Sequence, residues 1–131
     1  MSAGNSSTPL GQVRGHGAAG HGGAHWMRER LTSAALLLLG LWLIASLVLL
    51  PRLDRLTLAE WLQAPSGAVP MALLIVIGFI HSVDGLKTVV DDYIHDESSR
   101  LLGHGILTFV GIGAGSLALF SLARIAFGAA A

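Results

Sequence analysis

The chain has 131 residues, of which 53% are hydrophobic and only 12% charged, and its mean hydropathy is +0.67. Soluble domains carry about twice that charged fraction, so composition alone places the chain in the membrane class. Its eight basic and eight acidic residues cancel, which leaves no basic face for nucleic acid. With no cysteine, a disulfide scaffold, a thiolate-held iron–sulfur cluster and a thiol nucleophile are excluded in this chain.

Residues 1–24 are rich in Gly, Ser and Ala and cannot bury enough apolar surface to fold alone. They are expected to form a flexible tail. They do not resemble a signal peptide, because the apolar run starts only after Arg30 and is too long for a signal h-region. His16, His21 and His25 lie among glycines, with no fixed geometry for a metal. Residues 25–131 are expected to fold as three membrane-spanning helices, at about 31–50, 69–93 and 101–123.

The first span carries no charge over its 20 residues and covers roughly 30 Å, the hydrocarbon thickness. Trp26, Arg28 and Arg30 anchor its start. After Pro51, Thr57-Leu58-Ala59-Glu60 reads as a capping box and predicts a short interfacial helix, broken at Pro65-Ser66-Gly67. The third span carries Gly111-Ile112-Gly113-Ala114-Gly115. Small residues four apart admit a close helix, either one of this chain's own or one from a second protein. Arg14, Arg28 and Arg30 favour a cytoplasmic N-terminus, which with three spans puts the C-terminus on the periplasmic side.

The second span carries the chemistry. At about 100° per residue, His81, Gly85, Thr88 and Asp92 fall on one stripe within roughly 40° of His81, and Asp84, Lys87 and Asp91 form a flanking stripe. Ionisable groups inside a span are expensive and usually mark function. Tyr93 lies twelve residues beyond His81, roughly 18 Å along the axis. With Tyr93 at the interface, His81 is near mid-membrane, where a neutral imidazole is a natural axial ligand for haem iron. Gly85, one turn on, leaves room for a flat macrocycle. The alternative is a histidine that only hydrogen-bonds a neighbouring helix. Asp84 and Lys87 have the spacing of an ion pair, and Asp91, Asp92, Asp96 and Glu97 read as a solvated turn. His104 is a further candidate haem neighbour but lies nearer the membrane surface than His81.

The pattern His81-x3-Gly85-x6-Asp92-Tyr93, followed by His95, resembles the second span of the hydrophobic membrane anchor of succinate dehydrogenase, respiratory complex II. His25-Trp26, Arg30-Leu31-Thr32 and the Leu58–Trp61 helix also have counterparts in that family, so the resemblance covers roughly residues 25–124. It implies that His81 is one axial ligand of a haem b shared with the complex's cytochrome b subunit. It implies that Gly85 borders the haem, that Arg30 sits near a haem propionate or the quinone pocket, and that Tyr93, supported by Asp92, hydrogen-bonds ubiquinone near the cytoplasmic surface of a bacterial inner membrane. FAD and the iron–sulfur clusters would reside in the flavoprotein and iron–sulfur subunits. Two alternatives stay open. One is the anchor of a quinol:fumarate reductase or another small b-type cytochrome subunit. The other is a non-redox packing or transport component with Asp84 and Lys87 on a polar path.

Overall fold

The computed structural model describes residues 22–128. The expected tail therefore lies outside the described residues except at 22–24, which are already helical. Four helices follow in order: α1 (Gly22–Leu49), α2 (Arg55–Gln63), α3 (Pro65–Tyr93) and α4 (Glu97–Ala126). There is no strand among the described residues. Segments Trp26–Leu49, Pro65–Tyr93 and Glu97–Ala126 are each long and apolar enough to cross a membrane.

The helices run past the expected span limits because backbone hydrogen bonding does not stop where the hydrocarbon stops. The 29 residues of α3 cover about 43 Å, against roughly 30 Å of hydrocarbon. α3 also starts four residues earlier than expected. Ala64 closes α2 and opens α3, and Pro65 takes the first helical position of α3, where its missing N–H costs nothing and its fixed φ suits the turn. The cap of α2 differs from the expectation too. Asp54, not Thr57, is the N-cap, and its Oδ1 accepts from the Thr57 backbone N–H at 2.9 Å. Thr57 thus lies in the first turn.

The chain divides into two compact units, residues 1–31 and 32–131. In the first, the Arg30 guanidinium lies over the Trp26 ring, 5.5 Å from its centroid. The second holds the helical bundle. Here α3 and α4 pack antiparallel through glycines of α4. A Cβ on Gly103 would meet Val90 at 3.3 Å, one on Gly111 would collide with Val83, and one on Gly115 would meet the Phe79 ring at 3.3 Å. The glycine run of the third span is therefore used inside the chain. α2 packs against both α3 and α4, and a Cβ on Gly67 would strike the Trp61 carbonyl oxygen. The first helix is held to this group by Leu36 near Gly78 and by Trp42, stacked on Trp61 with ring centroids 5.6 Å apart.

Little is buried among the described residues: Gly67, Asp84, Gly115 and Leu122. Leucines, valines and phenylalanines are exposed along all three long helices, a surface that only lipid or apolar protein can cover. Hydroxyls within the spans satisfy themselves locally. Thr88, Thr108 and Ser121 donate to the carbonyls of Asp84, His104 and Leu117, at 3.2, 2.7 and 2.8 Å.

Substituting Gly67→Ala forces a methyl group against backbone. It is expected to destabilise the detergent-solubilised protein by about 1–3 kcal/mol, whereas Gly113→Ala, with open space around its Cβ, should be near neutral. Thermal melts of the two variants side by side check this, and equal melting temperatures would contradict the packing of α2 on α3.

Candidate functional site

Antiparallel packing sets which way each face of α3 looks. Phe79, Val83 and Val90 meet α4, and at about 100° per residue they lie on the opposite side of the helix from His81, Gly85, Thr88 and Asp92. Accordingly Gly85, Thr88 and Asp92 are exposed, and a Cβ on Gly85 would touch nothing within 4 Å. The polar stripe is turned away from the chain's own α4.

His81 is half-buried at the head of that stripe. Its Nδ1 shares a hydrogen bond of 3.0 Å with Thr32 Oγ1 of α1. No described residue partners its Nε2. The imidazole thus makes the interhelical hydrogen bond that one reading of the sequence anticipates, and it keeps a second nitrogen for something else. The contact of Thr32 with His81 is not one that the sequence pattern of the second span points to. The available signal was the pair of hydroxyl residues Thr32 and Ser33 opening the first span.

Of the flanking stripe, Asp84 and Lys87 are turned toward the bundle, whereas Asp91 is exposed. Asp84 is buried, with 8% exposure, and engages a partner; Lys87 is half-buried. Asp91 is not simply a member of a solvated turn. Its Oδ1 lies 3.0 Å from His104 Nε2 and 3.8 Å from Arg100 Nε, both on α4. The His104 contact is one of charge rather than an aligned hydrogen bond, since the buried Nε2 has no acceptor in line. It attracts only when the imidazole is protonated. His104 therefore sits on the α3–α4 seam with Asp91.

Tyr93 ends α3 and is 80% exposed. Asp92 and His95 are exposed beside it. A shallow apolar groove of about 580 Å³ runs along α4 past Leu101, Gly105 and Phe109, and neither Asp92 nor Tyr93 lines it. The turn after Tyr93 is set by Asp96, the N-cap of α4, whose carboxylate accepts from the Ser99 backbone N–H at 2.8 Å. Among the described residues no three His or carboxylate side chains converge to hold a bare metal ion. The single free imidazole nitrogen of His81 instead has the chemistry of one ligand to a metal carried in a cofactor.

These features define a class: an all-helical membrane protein of three spanning helices, one of which turns a histidine-headed polar face outward. Comparison with known proteins gives the family. Residues 4–122 match the family described as succinate dehydrogenase/fumarate reductase transmembrane subunit, and the chain belongs to it. The succinate dehydrogenase hydrophobic membrane anchor subunit of Rickettsia bellii is 26% identical over 89 residues, 68% of this chain and 71% of that protein. The same-named protein of Rickettsia conorii is 30% identical over 90 residues, with the same coverage. That of Rickettsia typhi is 31% identical over 79 residues, 60% of this chain and 63% of its own. No solved structure matches. The resemblance to the succinate dehydrogenase membrane anchor seen in the sequence stands.

The Ser99 N–H holds the Asp96 carboxyl below its ordinary value of 3.8. A carboxylate depressed in the folded state stabilises the turn above that ordinary value, and the contribution is lost as pH falls through the lower, folded value. The protection factor for hydrogen exchange at the first turn of α4, taken against the intrinsic rate at each pH, should therefore be higher at neutral pH and fall in acid. Asp96→Ala is expected to show the lower protection factor already at pH 7. Identical protection in the two proteins would remove the cap from the account.

Proposed function

We propose that the chain is the hydrophobic anchor of a succinate:ubiquinone oxidoreductase, supplying one axial ligand to haem b and part of the ubiquinone-reduction site. Family membership supports the coarser part: a membrane subunit of that enzyme complex, not its catalytic subunit. The observation that carries the finer part is His81, with one ring nitrogen held by Thr32, the other without a partner among the described residues, and the open flank of Gly85 one turn away.

These residues fit a haem. A neutral imidazole ligates through the nitrogen that bears no proton, and a second nitrogen engaged in a hydrogen bond fixes which one that is. A porphyrin needs a flat surface beside its ligand, and no side chain stands in the space at Gly85. When bound, haem b provides a one-electron relay within the membrane. His81 offers one ligand at that depth, so the second is assigned to the cytochrome b subunit, against the face of α3 that α4 leaves uncovered. Arg30 is assigned to a haem propionate on the resemblance alone. FAD and the iron–sulfur clusters belong to the flavoprotein and iron–sulfur subunits, since this chain has no cysteine.

Ubiquinone is the substrate at the end of α3. The Tyr93 hydroxyl, exposed at the helix terminus, donates a hydrogen bond to a quinone carbonyl oxygen and stabilises the charge that develops there on reduction. Reduction consumes two protons, and on this reading the exposed Asp92 and His95 pass them from the surface. On this reading the turn from Asp91 to Arg100 and the N-terminus face the cytoplasm. The names of the relatives favour the succinate-oxidising enzyme over the fumarate-reducing one that the family also includes.

In the purified complex, His81→Ala should abolish the haem band in reduced-minus-oxidised spectra. Tyr93→Phe should leave that band and succinate oxidation with an artificial acceptor intact, while quinone reduction falls by on the order of 100-fold, the usual effect of removing one such donor. Undiminished quinone reduction by Tyr93→Phe would sink the quinone assignment, and normal rates in Asp92→Asn would sink the relay.

A further inference from the structure

We propose that Thr32 is a positioning residue for His81, accepting a hydrogen bond from the Nδ1–H and so presenting the Nε2 lone pair to the haem iron; the inference rests on the ligand assignment above. The contact joins residues 49 positions apart, at 3.0 Å between Oγ1 and Nδ1, and both side chains are half-buried. A neutral imidazole carries one proton and one lone pair, on opposite nitrogens. Left alone in a span, His81 would divide between the two tautomers, and the one protonated at Nε2 cannot ligate through that atom.

A hydroxyl could in principle donate to the ring or accept from it. Here Thr32 is taken to behave as the other threonines of the spans do. Threonine hydroxyls within helices donate their one proton to the carbonyl a turn back, as Thr88 and Thr108 do here. A hydroxyl so committed has only lone pairs left for the imidazole. Nδ1 must then be the donor, and the lone pair falls on Nε2. A ligating histidine whose other N–H donates in this way is a better electron donor to its metal, so Thr32 should favour the ferric state and lower the haem's midpoint potential.

The plain alternative is that Thr32 only ties α1 to α3. Leu36 lies against Gly78 between the same two helices, one turn away, and provides the control. In the purified complex, the haem's midpoint potential and its ferric electron paramagnetic resonance spectrum are measured for wild type, Thr32→Val, Thr32→Ser, Leu36→Ala and His81→Ala. Thr32→Val preserves shape and removes the acceptor. It should retain haem, raise the midpoint potential and shift the resonance signal. Thr32→Ser should restore both, and Leu36→Ala should lower thermal stability with the potential unchanged. A wild-type potential and spectrum in Thr32→Val, with haem lost in His81→Ala, would overturn the role of Thr32 and leave the ligand assignment standing. Equal shifts in Thr32→Val and Leu36→Ala would overturn it as well, by showing that loosened helices are sufficient. Retention of the unaltered haem signal in His81→Ala would remove the ligand assignment and this inference together. Should the valine complex not assemble, Thr32→Cys, of similar size with a poorer acceptor, carries the same comparison.

Discussion

The close approach of α4 to α3 governs the rest. Gly103, Gly111 and Gly115 have no side chain to hold the helices apart, so Val90, Val83 and the Phe79 ring lie against the α4 backbone. In lipid there is little hydrophobic force to press two apolar helices together, and association rests on such packing. Once those three contacts are made, α3 cannot rotate about its axis. Its polar stripe is then held on the far side, where no other part of the helical pair covers it. A seam built from residues with no chemistry of their own thereby fixes the direction in which the chemical residues point.

Along that outward stripe one helix serves two depths. His81 and Gly85 sit within the span. Asp92 and Tyr93 sit at its end, roughly 18 Å further along the axis. The two depths have different electrical surroundings. Deep in the span a neutral imidazole is tolerated where a charge is not, and the hydrogen bond to Thr32 settles its polar demand at one nitrogen. At the helix end, carboxylates remain in water and can exchange protons. The flanking acids meet other groups instead: Asp84 is buried, and the exposed Asp91 meets Arg100 and His104 across the seam. Neighbouring aspartates, Asp91 and Asp92, thus have opposite roles because successive residues on a helix are about 100° apart.

Much of this is written in local sequence. Three long apolar runs must be helical in lipid because each has to satisfy its own backbone, and the spacing of His81, Gly85, Thr88 and Asp92 puts them on one face whatever lies around them. Helix ends are less legible. Thr57 has the spacing of a capping box, yet Asp54, three residues earlier, takes the N-cap. Both residues are good caps, and the choice depends on how the chain leaves α1. Pro65 reads as a breaker, yet it begins α3, since a proline that ends one helix is also suited to the first turn of the next.

The sequence by itself determined the membrane class, the helical character of the spans and the polar face of the second one, because these follow from composition and a fixed helical period. Tertiary structure alone decided which helix the glycines of the third span receive, that Asp91 pairs while Asp92 does not, and that Thr32 reaches His81. Those are contacts between residues distant along the chain. They depend on the rotation and depth at which whole helices meet, and no local pattern encodes either.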